Sequence, residues 1–160
     1  MKELHKMHDM NTYEPMYAST LTYQEIKDTL GSLVFIAEKR NRDIKERNFS
    51  FGSNQITYKE NDESNGSSPT LNTDSLFLIG VIDAHEHRAV GMLNVKNDFL
   101  HAENYEYMLM LLFGKISEPL VKVDPKLYIK YVIALNEGVH MLYVKLTKSL
   151  NGMLRSVMVF

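Results

Sequence analysis

A short apolar run that ends in polar residues, within residues 89–102, constrains the fold more than any other stretch of this sequence. The run consists of Ala89, Val90, Met92, Leu93 and Val95, which suits a buried strand. The polar residues at its end are Asn94, Lys96, Asn97 and Asp98, followed by the apolar pair Phe99 and Leu100. Because a strand fixes the position of such a polar cluster, functional residues often lie at strand ends. Any strand that runs into a turn has the same pattern, however, so this stretch alone leaves both interpretations open.

Composition limits the classes of protein to consider. A chain of 160 residues with 44% hydrophobic and 24% charged residues suits one globular domain. The net charge of −2 means that any nucleic-acid binding must be local, and the absence of cysteine excludes disulfides and thiolate-bound metals. No apolar run reaches the roughly 18 residues of a membrane span, and the first residues lack the apolar core of a signal peptide. We therefore expect an intracellular protein, cytoplasmic or nuclear, with no membrane partner.

The first part of the chain is predicted to be a solvated segment followed by a helix. Residues 1–20 are polar and rich in methionine. Their His5 and His8 could share a helix face and a metal, but no third ligand follows, so we predict disorder there. Thr22 and Glu25 form a capping box, and apolar residues at helical spacing extend the predicted helix to about Lys39.

A mildly basic segment comes next. Its cations outnumber its carboxylates by two, since Lys39, Arg40, Arg42, Lys45 and Arg47 stand against Glu38, Asp43 and Glu46. The pattern fits a hairpin over residues 44–58, either as a solvated limb or as a contact for nucleic acid. A turn-rich loop with Gly66 and Pro69 then separates the N-terminal part from the rest.

The C-terminal part alternates between helical and strand patterns. A helix capped by Asn72 or Thr73 should run to about His87, with His85 and His87 exposed and pointing apart. Residues 107–113 are a predicted partner strand for residues 89–95. Asp124 and Pro125 start another helix, residues 136–138 form a turn, and residues 141–146 form a strand. The apolar residues 150–160 suggest a last helix whose pattern is unfinished.

These segments, in this order, resemble the reverse transcriptase of copia-type retrotransposons over residues 23–160. The strongest words are S-L-F-L-I-G-V-I-D-A-H-E-H-R-A-V at residues 75–90 and N-V-K-N-D-F-L-H-A at residues 94–102. V-K-V-D-P-K-L-Y at residues 121–128 and L-Y-V-K-L-T-K-S-L-N-G-M-L-R-S at residues 142–156 complete them, with Ser149 to Gly152 matching an A-L-Y-G-like turn.

The resemblance implies an α+β fold, with fingers over about residues 21–70 and part of a palm over about residues 71–160. It implies a reverse-transcriptase-like antiparallel sheet with packed helices. Family members copy RNA into DNA on a template–primer, using two Mg²⁺ ions held by palm carboxylates.

The residues at the family's functional positions depart from its pattern. Asn94 stands where the family has its first catalytic aspartate, and an amide is a poorer Mg²⁺ ligand than a carboxylate. Asp98 is a weak substitute candidate because it lies four residues later. Phe99 matches the aromatic residue that screens the 2′-hydroxyl of the incoming nucleotide, although core packing explains it equally. Lys45 and Arg47 lie in the fingers word that contacts nucleotide phosphates and template.

We therefore expect a truncated, inactive reverse-transcriptase fragment, because the family's Y-x-D-D hairpin is also missing from the sequence. No intact catalytic set and no bound Mg²⁺ are expected, and binding to template–primer should be weak or absent. The alternatives are a non-catalytic nucleic-acid-binding module derived from the family and an unrelated α+β interaction domain.

Overall fold

The computed structural model describes residues 2–51, 71–91, 93, 95, 98–135 and 138–153. These residues form a mixed β-sheet accompanied by helices. The strands are β1 (Tyr13–Met16), β2 (Leu30–Glu38), β3 (Ile44–Phe51), β4 (Leu109–Phe113), β5 (Ile133–Ala134) and β6 (His140–Leu146). Their order is β1-β6-β4-β2-β3, with β5 also paired to β6. The α+β class is confirmed. The sheet is mixed rather than antiparallel, because β2 and β4 pair in parallel through Leu30 and Gly31.

Six α-helices accompany the sheet in the described residues. They are α1 (Lys2–Asp9), α2 (Tyr23–Asp28), α3 (Thr73–His85), α4 (Asp98–His101), α5 (Ser117–Val123) and α6 (Pro125–Tyr128). Short 3-10 turns follow β1, β4 and α6. None of the helices in the described ranges has the length and apolar character needed to cross a membrane.

The hydrophobic core lies between one face of the sheet and α1, α5 and α6. Met110 and Leu112 of β4 stand opposite Val144 and Leu142 of β6, and all four are fully buried. The helices contribute Leu4, Met7, Leu120 and Tyr128 to the same cluster. Alternation along β4 and β6 therefore directs this row of side chains into the core. Leu109 and Tyr143, on the other face of the same strands, are buried as well.

The N-terminal segment is ordered in the structure, which differs from the disorder predicted for residues 1–20. Leu4 and Met7, one helical turn apart, are buried on α1, and the Tyr13 hydroxyl donates to the Met7 sulfur at 3.0 Å. His8 Nδ1 lies 3.0 Å from the Tyr128 hydroxyl. The apolar stripe of α1 is short, but β3 and α5 supply the partners that it needs, and Tyr128 of α6 contacts His8.

The helix predicted to reach Lys39 ends at Asp28 instead. Its capping box is confirmed, since Glu25 N–H donates to Thr22 Oγ1 and Thr22 N–H donates to the Glu25 carboxylate at 2.7 Å. Thr29 is extended, and β2 begins at Leu30. The β-branched and aromatic residues Val34, Phe35 and Ile36 favour a strand, and pairing with β3 along eight residues overrides the helical spacing.

The hairpin predicted for residues 44–58 has its first strand at β3, but the partner strand, β2, comes before it. Residues 52–58 lie outside the described residues.

The central expectation, a strand over residues 89–95 paired with residues 107–113, is wrong for the residues that the structure describes. Residues 89–91, 93 and 95 form no strand, and Leu93 is 91% exposed. The second predicted strand is confirmed as β4, but β6 and β2 flank it on its two sides. No edge of β4 is left for residues 89–95.

The remaining C-terminal expectations are confirmed in part. Asn72 caps α3 by accepting from Ser75 N–H at 2.7 Å, and Asp124 caps α6 by accepting from Leu127 N–H at 3.0 Å. The strand predicted for residues 141–146 is β6. At the predicted turn, Gly138 has a φ of +72°, while residues 136 and 137 lie outside the described residues. Residues 150–153 form a turn rather than a helix, and residues 154–160 are not described.

Candidate nucleic-acid interface

The β2–β3 hairpin sorts its residues onto two faces. The register pairs Leu33 with Phe49, Phe35 with Arg47 and Ala37 with Lys45. Directly paired residues of antiparallel strands point to the same side, and residues two apart along a strand do so too. These six residues, which we call the open face of the hairpin, therefore lie on one side.

Lys45 and Arg47 lie next to each other on the open face, both exposed. The carboxylates of the two strands, Glu38 and Glu46, alternate with them and so lie on the opposite face. The tip between the strands adds Lys39, Arg40 and Arg42 against Asp43 alone. The hairpin thus separates its charges by strand alternation, and its open face carries two cations and no carboxylate.

An aromatic pair accompanies these cations. Phe35, directly opposite Arg47, is 55% exposed, and its ring meets that of Phe49 at right angles with centroids 5.2 Å apart. The sequence pattern did not predict this pair, because Phe35 falls in the predicted helix and Phe49 in the predicted hairpin. The signal was the alternation of Lys45, Arg47, Phe49 and Phe51, which has the period of a strand.

The opposite face of the hairpin is anchored to the protein near its base. Asn48 and Ser50 are buried there, and Asn48 Nδ2 donates to the Tyr13 hydroxyl at 2.6 Å. Burial is the main cause that raises the pKa of Tyr13 well above its usual value, and the bond from Asn48 opposes it. Tyr13 therefore stays neutral over the physiological range. Because this face packs toward α1, the open face is the side turned away from the core.

A tight turn joins the base of β3 to the C-terminal part of the chain. Ser50 N–H donates to the Asn151 carbonyl at 2.9 Å, and Gly152 follows with a φ of +89°. A Cβ at Gly152 would lie 2.2 Å from the Ser50 carbonyl oxygen, so only glycine fits. This turn belongs to the A-L-Y-G-like word, and its glycine has a clear structural role.

The predicted palm residues Asp98 and Phe99 lie beside that turn. Asp98 is the first residue of α4, and its Oδ1 accepts from Phe99 N–H at 3.0 Å. Both residues line a cavity of about 30 Å³, together with Glu3, Met7, Leu100, Leu150 and Asn151. A space of that size holds about one water molecule and not a nucleotide.

The residues around this cavity do not fit a two-metal centre. Glu3 and Asp98 are the two carboxylates in its lining, and Asp98 already accepts a backbone hydrogen bond. Across the described ranges, no group of three or more His, Cys, Asp or Glu side chains could hold a metal ion. Mg²⁺ pairs need several carboxylate oxygens in near-octahedral arrangement. Asn94, which the resemblance predicts to stand at the aspartate position, lies outside the described residues.

The structure thus groups the predicted site residues into two pairs. Lys45 and Arg47 share the open face, and Asp98 and Phe99 share the small cavity. The two places are connected through the Ser50–Asn151 hydrogen bond, but Arg47 is three residues from Ser50, or about 10 Å along an extended strand. No described contact joins the two pairs directly.

Comparisons of the chain with protein-family models, curated proteins and solved structures gave no match.

Proposed function

We propose that this chain is a non-catalytic nucleic-acid-binding protein of copia-type reverse-transcriptase descent, which binds through the open face of its β2–β3 hairpin. The observation that carries the binding proposal is the sorting of Lys45 and Arg47 onto a face without carboxylates. The order of the four sequence words supports the descent. The assignment of the hairpin to fingers and of residues 71–160 to a partial palm belongs to the same proposal.

The proposed binding is weak and depends on salt. Two cations on the open face neutralise about two phosphates, and each neutralised phosphate releases bound counterions from the nucleic acid. For single strands, the logarithm of the binding constant then falls with the logarithm of salt concentration with a slope of about −1.4. The tip cations steepen this slope if they also make contact. The net charge of −2 leaves no general attraction elsewhere on the molecule.

The double variant Lys45→Ala/Arg47→Ala tests this binding. We expect it to weaken binding of a labelled oligonucleotide of about ten nucleotides and to flatten the salt slope by about 1.4, as measured by fluorescence anisotropy. The matched control is Lys122→Ala/Lys126→Ala, which removes the same charge from exposed positions at α5 and α6. Equal effects of the two double variants, or no binding by the parent chain, would refute binding through the open face.

Primer extension tests the absence of catalysis. The 160 residues contain no Y-x-D-D word, and Asn94 replaces the carboxylate expected at the first metal-binding position. One aspartate cannot position two ions roughly 3.5–4 Å apart. We therefore expect background extension on an RNA template from both the parent chain and Asn94→Asp, with Mg²⁺ or with Mn²⁺.

The positive control for that assay is Asn94→Asp fused to the palm segment of a family member that carries the Y-x-D-D hairpin, the only form in which we expect extension. Extension by the parent chain would overturn the non-catalytic proposal. Extension by Asn94→Asp alone would mean that Asp98 or another carboxylate completes the site.

A further inference from the structure

We infer that the open face of the β2–β3 hairpin is a stacking platform for an unpaired nucleobase, with Phe35 as the ring that receives the base. The inference rests on the proposed function and specifies its ligand as single-stranded rather than duplex nucleic acid. Its basis is the position of an exposed aromatic ring beside two cations of the neighbouring strand, on a face that the core does not use.

The ring of Phe35 is exposed on the open face. Phe35 lies on β2, which has β3 on one side and β4 on the other, yet it is 55% exposed although its neighbour Phe49 is half-buried. The right-angled contact between the two rings, with centroids 5.2 Å apart, restricts the orientation of Phe35. A ring held in this way loses little freedom when a base stacks on it, which favours binding.

Two cations of β3 lie beside that ring. Arg47 is the direct cross-strand partner of Phe35, and Lys45 is the next residue on the same face. Side chains paired across antiparallel strands start about 5 Å apart, so both cations can reach the phosphates that flank a base on Phe35. Alternating aromatic and cationic contacts are the usual way in which proteins hold single strands without reading sequence.

Duplex nucleic acid does not fit this arrangement of ring and cations. Bases in a duplex stack on each other and expose only their edges in the grooves, so a ring lying on a sheet cannot reach their faces. An unpaired strand offers both the face of the base and the adjacent phosphate. The open face therefore prefers a single strand beyond what its charge alone provides.

Tryptophan substitution gives a direct test, because the chain contains no tryptophan. In Phe35→Trp, the indole is the only one in the protein, and a base stacked on it should quench its emission. We expect quenching by a single strand of about ten nucleotides and little quenching by a duplex or by an abasic strand of equal length. The strand is offered as RNA and as DNA, and quenching by either supports the inference and identifies the source. Unchanged emission at saturating strand concentration would overturn it.

Affinity measurements on Phe35→Leu complete the test. We expect binding of the single strand to weaken about tenfold, with unchanged salt slope, because a stacking contact is lost but no charge. Ile36→Ala is the matched control. Ile36 is 69% exposed and adjacent in sequence but lies on the opposite face, so its removal should have no effect.

The outcomes separate this inference from the proposed function. If Lys45→Ala/Arg47→Ala weakens binding while Phe35→Leu does not, the stacking platform is refuted and the nucleic-acid interface stands. If the parent chain binds none of the strands, both are refuted. Equal losses for Phe35→Leu and Ile36→Ala would indicate a general disturbance of the hairpin and would also refute the platform.

Discussion

Gly152 is the residue whose identity the structure constrains most strongly. Its φ of +89° is strained for any residue with a side chain, and a Cβ would lie 2.2 Å from the Ser50 carbonyl oxygen. That oxygen belongs to backbone that also bonds to Asn151, so it cannot move aside without breaking the link between β3 and the turn.

We therefore expect Gly152→Ala to lower the free energy of unfolding by about 3 kcal/mol or more, as measured by thermal melting. Gly114→Ala is the control, because Gly114 also has a positive φ, +58°, but has open space around it. That variant should cost only about 1 kcal/mol. Equal losses for the two variants would show that φ alone, and not the contact with Ser50, makes glycine necessary.

Local chemistry made several single residues predictable from the sequence. Thr22 with Glu25, Asn72 and Asp124 cap helices through neighbours three residues away, and such short-range bonds follow from the sequence pattern. The Asn48–Tyr13 bond spans 35 positions in the chain, so no local pattern indicates it. The same limit hid the aromatic pair of the open face, since its contact depends on strand pairing.

Helix α1 shows the difference between a local pattern and a packed element. From its eight residues alone, the segment appeared too polar to order, because isolated helices of this length are marginal in water. Its two buried residues, Leu4 and Met7, are stabilised by packing against β3 and α5. Tyr128, at the end of α6, reaches His8, and burial raises the pKa of Tyr128 to about 12.

Truncating Met7 tests whether α1 is an integral part of the fold. Met7 is 2% exposed and accepts from the Tyr13 hydroxyl, so Met7→Ala should cost about 2–4 kcal/mol and lower the midpoint of denaturant unfolding. The control is Lys6→Ala at the neighbouring residue. It removes an exposed ion pair with Glu3, which should lower the free energy of unfolding by well below 1 kcal/mol. A midpoint unchanged by Met7→Ala would mean that α1 detaches without loss of the core.

The predictions of secondary structure were wrong where pairing between distant strands determines which element forms. The helical spacing of residues 26–37 was real, but eight cross-strand pairs with β3 made residues 30–38 a strand. The apolar run over residues 89–95 was a strand by composition, yet β4 already had two neighbours. Strands depend on partners that lie far away in the chain, so composition indicates the tendency and not the pairing.

At the scale of the whole molecule, the α+β class was predictable because helical and strand patterns alternate along the sequence. The parallel contact of β2 with β4 was not, since it joins segments about 80 positions apart through two residue pairs. The candidate interface was half predictable: its cations stood out by composition, whereas its aromatic residues and its separation of charge required the register.

Helix α3 exposes a run of large apolar residues in the described part of the chain. Its exposed large apolar residues are Leu76, Phe77, Leu78, Ile79, Val81 and Ile82, and none of its residues is buried. A helix that is apolar on all sides is normally enclosed by other structure, and exposed patches of this kind promote association. We therefore expect the purified chain to bind a hydrophobic dye and to self-associate with rising concentration.

Placing charge on α3 tests this expectation. Phe77→Glu/Val81→Lys puts an oppositely charged pair four residues apart, which favours the helix while removing two exposed apolar side chains. Dye fluorescence and the mass measured by light scattering should both fall. Tyr105→Glu is the control, because Tyr105 is 87% exposed and belongs to a loop rather than to α3, and it should change neither. A parent chain that is monomeric and silent to the dye would mean that α3 is covered in solution. An equal effect of Tyr105→Glu would mean that exposed apolar residues in general, and not α3 in particular, drive the association.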